Sequence, residues 1–472
     1  MREKIVLIGA GSAMFTRGLV ADLIRQGWIC DLALVDTDPD ALAVAEGLVR
    51  KMARARRARF RLSAALDRRE ALRNATVVIT TIGVGGRRAW EQDVAIPRRY
   101  GIFQPVGDSV MPGGSSRALR MIPAMVAIAE DVLDLAPGAL FFNYANPMGV
   151  LCRAVRKATG ADMVGLCHGV FHTGGQVARA LGIPRGRLAY TAVGMNHLTW
   201  FTEVRADGGD AMPRLRALAE RRCAGLSAAR DLGLRFAEGG AAGRGRAVFP
   251  DPFTAQMLLR FGAFPCPGDR HITEFFPSLF ARQGAYFGRT LGVEAYPFEA
   301  TIANGDAIFE EMREHALSRR PLPDDYFGAG AGEHEQAMEI LDCIRSGTPR
   351  IYSANLPNRG QVSNLPEEAI LECPAVTGSE GLRPVVLPPL DPALVGTLAA
   401  RFQWVEVLVE AALRGSRERF VQALLLDGAV RSVPEAESLA NDLIAAHIRH
   451  LPQFRDDARP PRGGRMRVDE KR

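Results

Sequence analysis

No window of the sequence reaches the ~18 consecutive apolar residues that a membrane-spanning helix needs, so no membrane role is expected. The start, Met1 followed by REKIVLIGAG, lacks the longer apolar region and cleavage site of a secretory signal, which points to a cytoplasmic protein. Cysteine is sparse: the 7 residues, at 30, 152, 167, 223, 266, 343 and 373, are odd in number and unpaired in spacing. That pattern argues against a disulfide framework and for a reducing compartment, with most thiols acting as small core hydrophobes. Aromatic residues make up only 7% of the chain. The net charge of +6 admits an anionic substrate without demanding nucleic acid. In the strongest basic run, RKMARARRARFR, Phe60 alone is available for stacking, so the expectation there is a solvated helix face over about Leu48 to Arg61. There are no internal repeats, and 47% hydrophobic with 24% charged residues is ordinary globular composition for two or three domains.

The N-terminal residues carry a dinucleotide grammar. Lys4 to Ile8 (KIVLI) reads as a short buried strand, followed by Gly9-Ala10-Gly11-Ser12 and a helix from about Phe15 to Gln26. Glycines there permit a tight turn and a close approach of backbone to a pyrophosphate. Met14 stands where the usual fingerprint has its third glycine. The next strand, DLALVD, ends at Asp36, close to where such folds place the carboxylate for the ribose hydroxyls, and a carboxylate there favours NAD over NADP. TVVITTIGVGG supplies a further strand with a glycine-rich exit containing Gly83. The stretch GIFQPVGDSVMPGGSSRAL reads as a loop, carrying Asp108 and the Gly113-Gly114 pair, that enters a helix near Ser115.

Between Phe141 and Trp200, three strand-like runs end in FFNYANPMG, GLCHGVFH and VGMNHLTW. Each delivers polar side chains to the carboxyl end of a strand, where open α/β sheets bind ligands. Cys167 and His197, with oxygen ligands from a substrate, suit a divalent transition metal. A buried thiol with a hydrogen-bonded histidine, or a Cys/His nucleophilic pair, are the alternatives that the residues leave open. Beyond, residues 238–246 (EGGAAGRGR) read as a mobile loop, 304–346 as helical and 349–390 as strands and turns, with helices continuing to about His450.

IGAGSAMF, GDSVMPGGSSRAL, NYANPMG, GLCHG, GMNH and NLPNRG…NLPEEAILE occur in the order they have in glycoside hydrolase family 4, which the chain resembles over about residues 4–390. The resemblance implies an α/β fold: an N-terminal Rossmann-type doubly wound parallel sheet, lactate/malate-dehydrogenase-like, fused to a mixed α/β substrate domain. The expected domain boundaries are 1–195 and 196–455, and composition adds the expectation of a disordered tail over 456–472. It implies NAD held by Gly9, Gly11, Ser12, Met14, Phe15, Asp36, Gly83 and Asn143, and a divalent metal, usually Mn²⁺, on Cys167 and His197. Asn146, Asp108, Asn196, Arg87 and Arg270 would meet the sugar, and a homodimer or homotetramer is implied.

The implied chemistry lies outside the two-carboxylate scheme of most glycosidases. NAD takes hydride from C3, the metal polarises the resulting ketone, a base removes the C2 proton, and the aglycone leaves C1 by elimination. Water then adds and the hydride returns, so NAD is not consumed and an intact Cys167 thiolate is required. His168 after the cysteine resembles the branch acting on unphosphorylated α-glycosides, and GDRH resembles members acting on uronides such as galacturonides. Asp269 is the expected base, His168 a possible acid, and His271 a neighbour of metal or sugar. Arg270, Arg87 and Arg88 are available to a sugar carboxylate. Rival expectations are an NAD-dependent hydroxyacid or sugar dehydrogenase releasing NADH, a 6-phospho-glycosidase of the same family, and a noncatalytic NAD-binding protein.

Overall fold

The computed structural model describes residues 3–228, 249–280, 283–327 and 336–455. Six parallel strands open the chain: β1 (Glu3–Ile8), β2 (Cys30–Val35), β3 (Arg61–Ala65), β4 (Val77–Thr80), β5 (Leu140–Asn143) and β6 (Met163–Gly165). Their spatial order is 3-2-1-4-5-6, that of a dinucleotide-binding doubly wound sheet. Along β1, Ile5 and Leu7 enter one core and Val6 and Ile8 the other. Both faces of the sheet are therefore covered, which is why these strands read as continuous apolar runs. α1 (Thr16–Arg25), α2 (Pro39–Ala55) and the helix Ala337–Ser346 supply the first core; α5 (Met111–Leu135), α6 (Met148–Thr159) and the helix Pro392–Arg414 supply the second.

The sheet does not stop at β6. Ile351–Pro357, Ile370–Gly378, β7 (Leu188–Met195), β8 (Leu198–Ala206) and Phe264–Cys266 continue it in that order, all antiparallel. One row of paired residues runs from β1 to the far edge: Ile8, Thr80, Asn143, Gly165, Asn355, Glu372, Gly194, Thr199 and Cys266. The chain segments that leave the strands just past this row are those carrying the candidate residues. The expected boundary at 195/196 falls at the turn of the β7–β8 hairpin, inside the continuous sheet. Among the described residues no helix is long and apolar enough to cross a membrane.

Two expected helices start elsewhere. The basic helix expected over Leu48–Arg61 begins at Pro39, because the Asp38 side chain caps it by accepting from Asp40 and Ala41 N–H. It ends at Ala55, Arg57 takes φ 50°, and Arg61 belongs to β3. The helix expected near Ser115 begins at Met111, so Gly113 and Gly114 lie in its first turn rather than in a loop. A Cβ on Gly114 would stand 2.5 Å from the Ser109 carbonyl carbon, and one on Gly113 2.8 Å from the Gly107 oxygen. These glycines let α5 press against the 107–109 loop. The expected loop at 238–246 and tail at 456–472 lie outside the described residues.

A buried ionic cluster fixes α4 (Gly86–Arg99) against α5. Arg120 (2% exposed) makes a bidentate pair with Asp93 (0% exposed), to which Ser116 Oγ donates at 2.7 Å and His447 Nε2 lies at 2.9 Å. Arg120 Nε also donates to the Val84 carbonyl, tying the glycine-rich exit of β4 to the cluster. Burial alone would raise the Asp93 pKa, but the Arg120 charge and the bonds from His447 and Arg120 hold it below the usual carboxylate range. Asp93→Ala strands the guanidinium and should cost about 3–5 kcal/mol in urea unfolding; a loss below about 1 kcal/mol would contradict this reading of the cluster.

Candidate active site

At the nucleotide end, Gly9 and Ala10 N–H both donate to the Val35 carbonyl, at 2.8 and 3.0 Å. Gly9 has φ +92°, and a Cβ there would sit 2.8 Å from Ile82 N; a Cβ on Gly11 would sit 2.6 Å from Ala41 Cβ. Only glycine fits either place. Gly11 N–H donates to Asp36 Oδ2 at 2.8 Å, while Asp36 Oδ1 accepts from Asp38 N–H at 3.0 Å. Asp36 therefore seats the turn at the tip of β2. Ser12 N–H closes the turn on the Gly9 carbonyl, Met14 is exposed, and the Phe15 ring lies 5.4 Å from that of Tyr144. The first turn of α1 has no side-chain cap and no acidic residue, leaving its N–H groups and positive dipole end available to an anion. Gly83 is exposed, with Arg117 Nη2 3.8 Å from where its Cβ would be. This cradle fits a dinucleotide. Asn143 is different: fully buried, its side chain bonds Ala145 and Thr80 and spends itself on the turn after β5.

Next along the row comes a cluster of imidazole, thiol and amide groups. Cys167 follows β6, and its Sγ accepts from Gly169 N–H at 3.4 Å. His168 is the N-cap residue of α7 (Gly169–Leu181). His197, at the β7–β8 turn with φ +70°, has its ring centroid 4.3 Å from that of His271, the two planes tilted by 52°. His168 lies close enough to bear on the proton affinity of both imidazoles. Burial, with His168 adding to it, pulls His197 down to about 4, and burial together with His197 pulls His271 well below its ordinary value. Both are neutral rings at neutral pH. Burial, reinforced by Glu372, raises the Cys167 thiol well above its ordinary value.

Asp108 and Asn146 border the same cluster. Asn146 Nδ2 donates to Asp108 Oδ2 at 3.1 Å, Ser109 Oγ donates to Asp108 Oδ1 at 2.7 Å, and Ser109 Oγ lies 2.9 Å from His197 Nδ1. Asn196 Nδ2 and Thr199 Oγ1 donate to Glu372 Oε2, at 3.2 and 2.9 Å, and burial raises Glu372 to about 7. The oxygens Asn146 Oδ1 and Asn196 Oδ1 are buried without a partner. Two orphaned amide oxygens beside a thiol and a neutral imidazole form a donor set for a cation and sugar hydroxyls. Among the described residues no three His, Cys, Asp or Glu side chains are grouped as a closed metal site would need. The set fits an open ion completed by substrate oxygens.

Three expected residues stand elsewhere. The Asp269 carboxylate, fully buried, accepts from Phe253 N–H, Thr254 N–H and Thr254 Oγ1, each at 2.7 Å, and from the Tyr286 hydroxyl. It caps the helix Pro252–Phe261 and is a clamp, with both oxygens occupied, rather than a free base. Burial and the nearby Asp251 charge push it up to about 7. Arg87 and Arg88 both pair with Asp306 on the helix Phe298–Leu317, so their carboxylate partner belongs to the protein itself. Arg270 is better placed: Nη2 donates to Thr301 Oγ1 at 2.7 Å and Nε is buried without a partner.

Ser109, Glu372, Thr199 and Glu274 went unassigned by the sequence. Ser109 and Glu372 nevertheless lie inside GDSVMPGG and NLPEEAILE, and Glu274 inside the GDRHITEFF stretch. Glu274 Oε1 accepts from Val106 and Gly107 N–H at 2.8 and 2.9 Å and so holds the loop that carries Asp108. Burial pushes Glu274 up to about 8. Its folded pKa lies above its unfolded one, so its contribution to stability is complete below about pH 4.5 and is lost as pH rises through about 8. Glu372 and Asp269 act in the same direction. Glu274→Gln should remove a fall of up to about 1.4 kcal/mol per pH unit between these limits, read from urea unfolding at several pH values. An unchanged slope would refute the assignment.

Residues 4–183 match the model for family 4 glycosyl hydrolase, and residues 192–430 match that family's C-terminal domain. An α-galactosidase from Rhizobium meliloti is 30% identical over 96% of this chain and 89% of its own. An α-galacturonidase from Bacillus subtilis is 31% identical over 93% of this chain and 96% of its own. Among solved structures, a 6-phospho-α-glucosidase from gut microorganisms, in complex with NAD and Mn²⁺, superposes with a TM-score of 0.79. It covers 96% of this chain and 100% of its own; at 18% identity it speaks for the fold alone.

Proposed function

The chain belongs to glycosyl hydrolase family 4, and we propose that it hydrolyses an unphosphorylated α-hexoside or α-hexuronide with NAD and a divalent metal, Mn²⁺ by preference. One observation carries this reading: a single row of the sheet brings the Gly9–Gly11 cradle and the Cys167/His197/Asn146/Asn196 cluster to the same edge. When bound, NAD would supply a reversible hydride acceptor, and the metal would supply Lewis acidity toward the sugar's oxygens.

The chain's own residues do the rest. Asp36 and the two glycines orient the dinucleotide, and Cys167 Sγ with His197 hold the metal. Asn146 Oδ1 and Asn196 Oδ1 accept from sugar hydroxyls, which fixes the ring relative to both cofactors. Proton transfer at C2 and at the glycosidic oxygen falls to His168 and His271, titratable groups beside the cluster; Asp269 supports them by anchoring the turn that carries His271. The neutral His271 ring suits this work, since it can accept a proton. The relatives named α-galacturonidase and the unsatisfied Arg270 Nε favour a sugar carboxylate. The free thiols and the need for an intact Cys167 suit a cytoplasmic setting, and we expect a homodimer or homotetramer.

The test is a panel of p-nitrophenyl α- and β-glycosides, uronides included, with NAD, Mn²⁺ and a thiol reductant, each then omitted in turn. Cleavage of an α-substrate only when NAD and metal are both present, without net NADH, is expected, with the α-galacturonide preferred. Cleavage independent of NAD would overturn the proposal. Comparable kcat/KM for galactoside and galacturonide would overturn the uronide preference alone. Cys167→Ser should lose more than about 100-fold in kcat while NAD binding, read by fluorescence, is retained; an outer-shell change would lose only 10–100-fold.

A further inference from the structure

Asp108 sits in the middle of an unbroken hydrogen-bond chain. Asn146 Nδ2 donates to its Oδ2 at 3.1 Å and Ser109 Oγ donates to its Oδ1 at 2.7 Å, while the other side of Ser109 Oγ faces His197 Nδ1 at 2.9 Å. A carboxylate can only accept. A serine hydroxyl has one hydrogen, and here Asp108 takes it. Ser109 must then accept from His197, so Nδ1 carries the ring proton and Nε2 is left as a bare lone pair. The same reasoning at the other end turns Asn146 around its carbonyl: Nδ2 is spent on Asp108, so Oδ1 is the atom left over, and it is buried with no partner. One acceptor-only group therefore sets the polarity of the whole chain and turns an acceptor into the site at each end.

We propose that Asp108 and Ser109 are positioning residues that lock His197 as the Nδ1–H tautomer and present its Nε2 lone pair to the metal. The inference rests on the reading of Cys167 and His197 as the metal-binding pair. It explains features that reading leaves open. His197 lies in the left-handed region at φ +70°, where Glu372 bonds its backbone and Ser109 Oγ meets its ring. Gly114 lets α5 approach closely enough to hold the Ser109 backbone in place. A partner on the second ring nitrogen of a metal-bound histidine also raises the ring's basicity as a ligand.

The experiment is Mn²⁺ titration of the full-length protein by calorimetry, in parallel with NAD titration and thermal unfolding of the metal-free protein, for wild type, Ser109→Ala and Ser109→Thr. Ser109→Ala should weaken Mn²⁺ binding 10–100-fold, leave NAD affinity unchanged, and be rescued by Ser109→Thr, which restores the hydroxyl. A lowered Tm and weakened NAD binding with unchanged Mn²⁺ affinity would mark Ser109 as merely structural and overturn the proposal. Wild type that binds no Mn²⁺ would instead overturn the metal-site reading beneath it. A second measurement needs no variant: ¹⁵N-histidine NMR of the metal-free wild type should show His197 protonated at Nδ1, and an Nε2–H tautomer would overturn the proposal directly.

Discussion

The constraint on which the rest depends is the register of one sheet. Because each strand pairs with its neighbour at a fixed residue, the row from Ile8 through Thr80, Asn143, Gly165, Asn355, Glu372, Gly194 and Thr199 to Cys266 is a straight edge. A slip of one residue at any pairing would turn every side chain beyond it to the opposite face. The parallel half delivers the nucleotide cradle, the antiparallel half delivers His197 and the 266–274 turn, and Cys167 lies where they meet. Glu372 marks the cost of this placement, a carboxylate buried at the centre of the row and tolerated because Asn196 and Thr199 bond it.

The buried polar groups around the edge divide their labour. Asp93, Arg120, Ser116 and His447 form a buried network that joins α4, α5 and the C-terminal helix behind the glycine-rich exit of β4. Arg401 makes a second such link, pairing with Asp427 at 2.7 Å and donating to the Phe275 carbonyl. Asp269 and Glu274 fasten the turn carrying His271 to its neighbours through backbone N–H groups. At the site itself, Asn146 Oδ1 and Asn196 Oδ1 are buried amide oxygens without a protein partner.

Much of this was legible in the sequence. The strand, glycine turn, helix and Asp36 grammar encoded the nucleotide cradle because each element obeys a local rule: a buried run, a positive φ, an acid at a strand tip. Asn146, Cys167 and His197 likewise lie just past the ends of β5, β6 and β7, where the sequence placed them. What was hidden is non-local. Nothing near Asp269 reveals that its carboxylate caps a helix that begins at Pro252, and nothing near Arg87 reveals Asp306 some two hundred residues on. The start of α5 was misplaced because two glycines ordinarily break a helix. Here they are needed for close packing, Gly113 against Gly107 and Gly114 against Ser109, which tertiary contact alone discloses. Glu372 and Ser109 lie inside recognisable motifs, but their roles follow from partners on other strands.

The measurement that tests the account most directly is hydrolysis of the preferred α-glycoside in D₂O with NAD and Mn²⁺, followed by NMR of the sugar released. Transient oxidation at C3 makes the C2 proton labile, and water returns it, so the product should carry deuterium at C2 and protium at C3, with no NADH accumulating. A product that retains protium at C2 would mean direct displacement at C1. That result would contradict a mechanism in which nucleotide and metal act together on one sugar at the shared edge of the sheet.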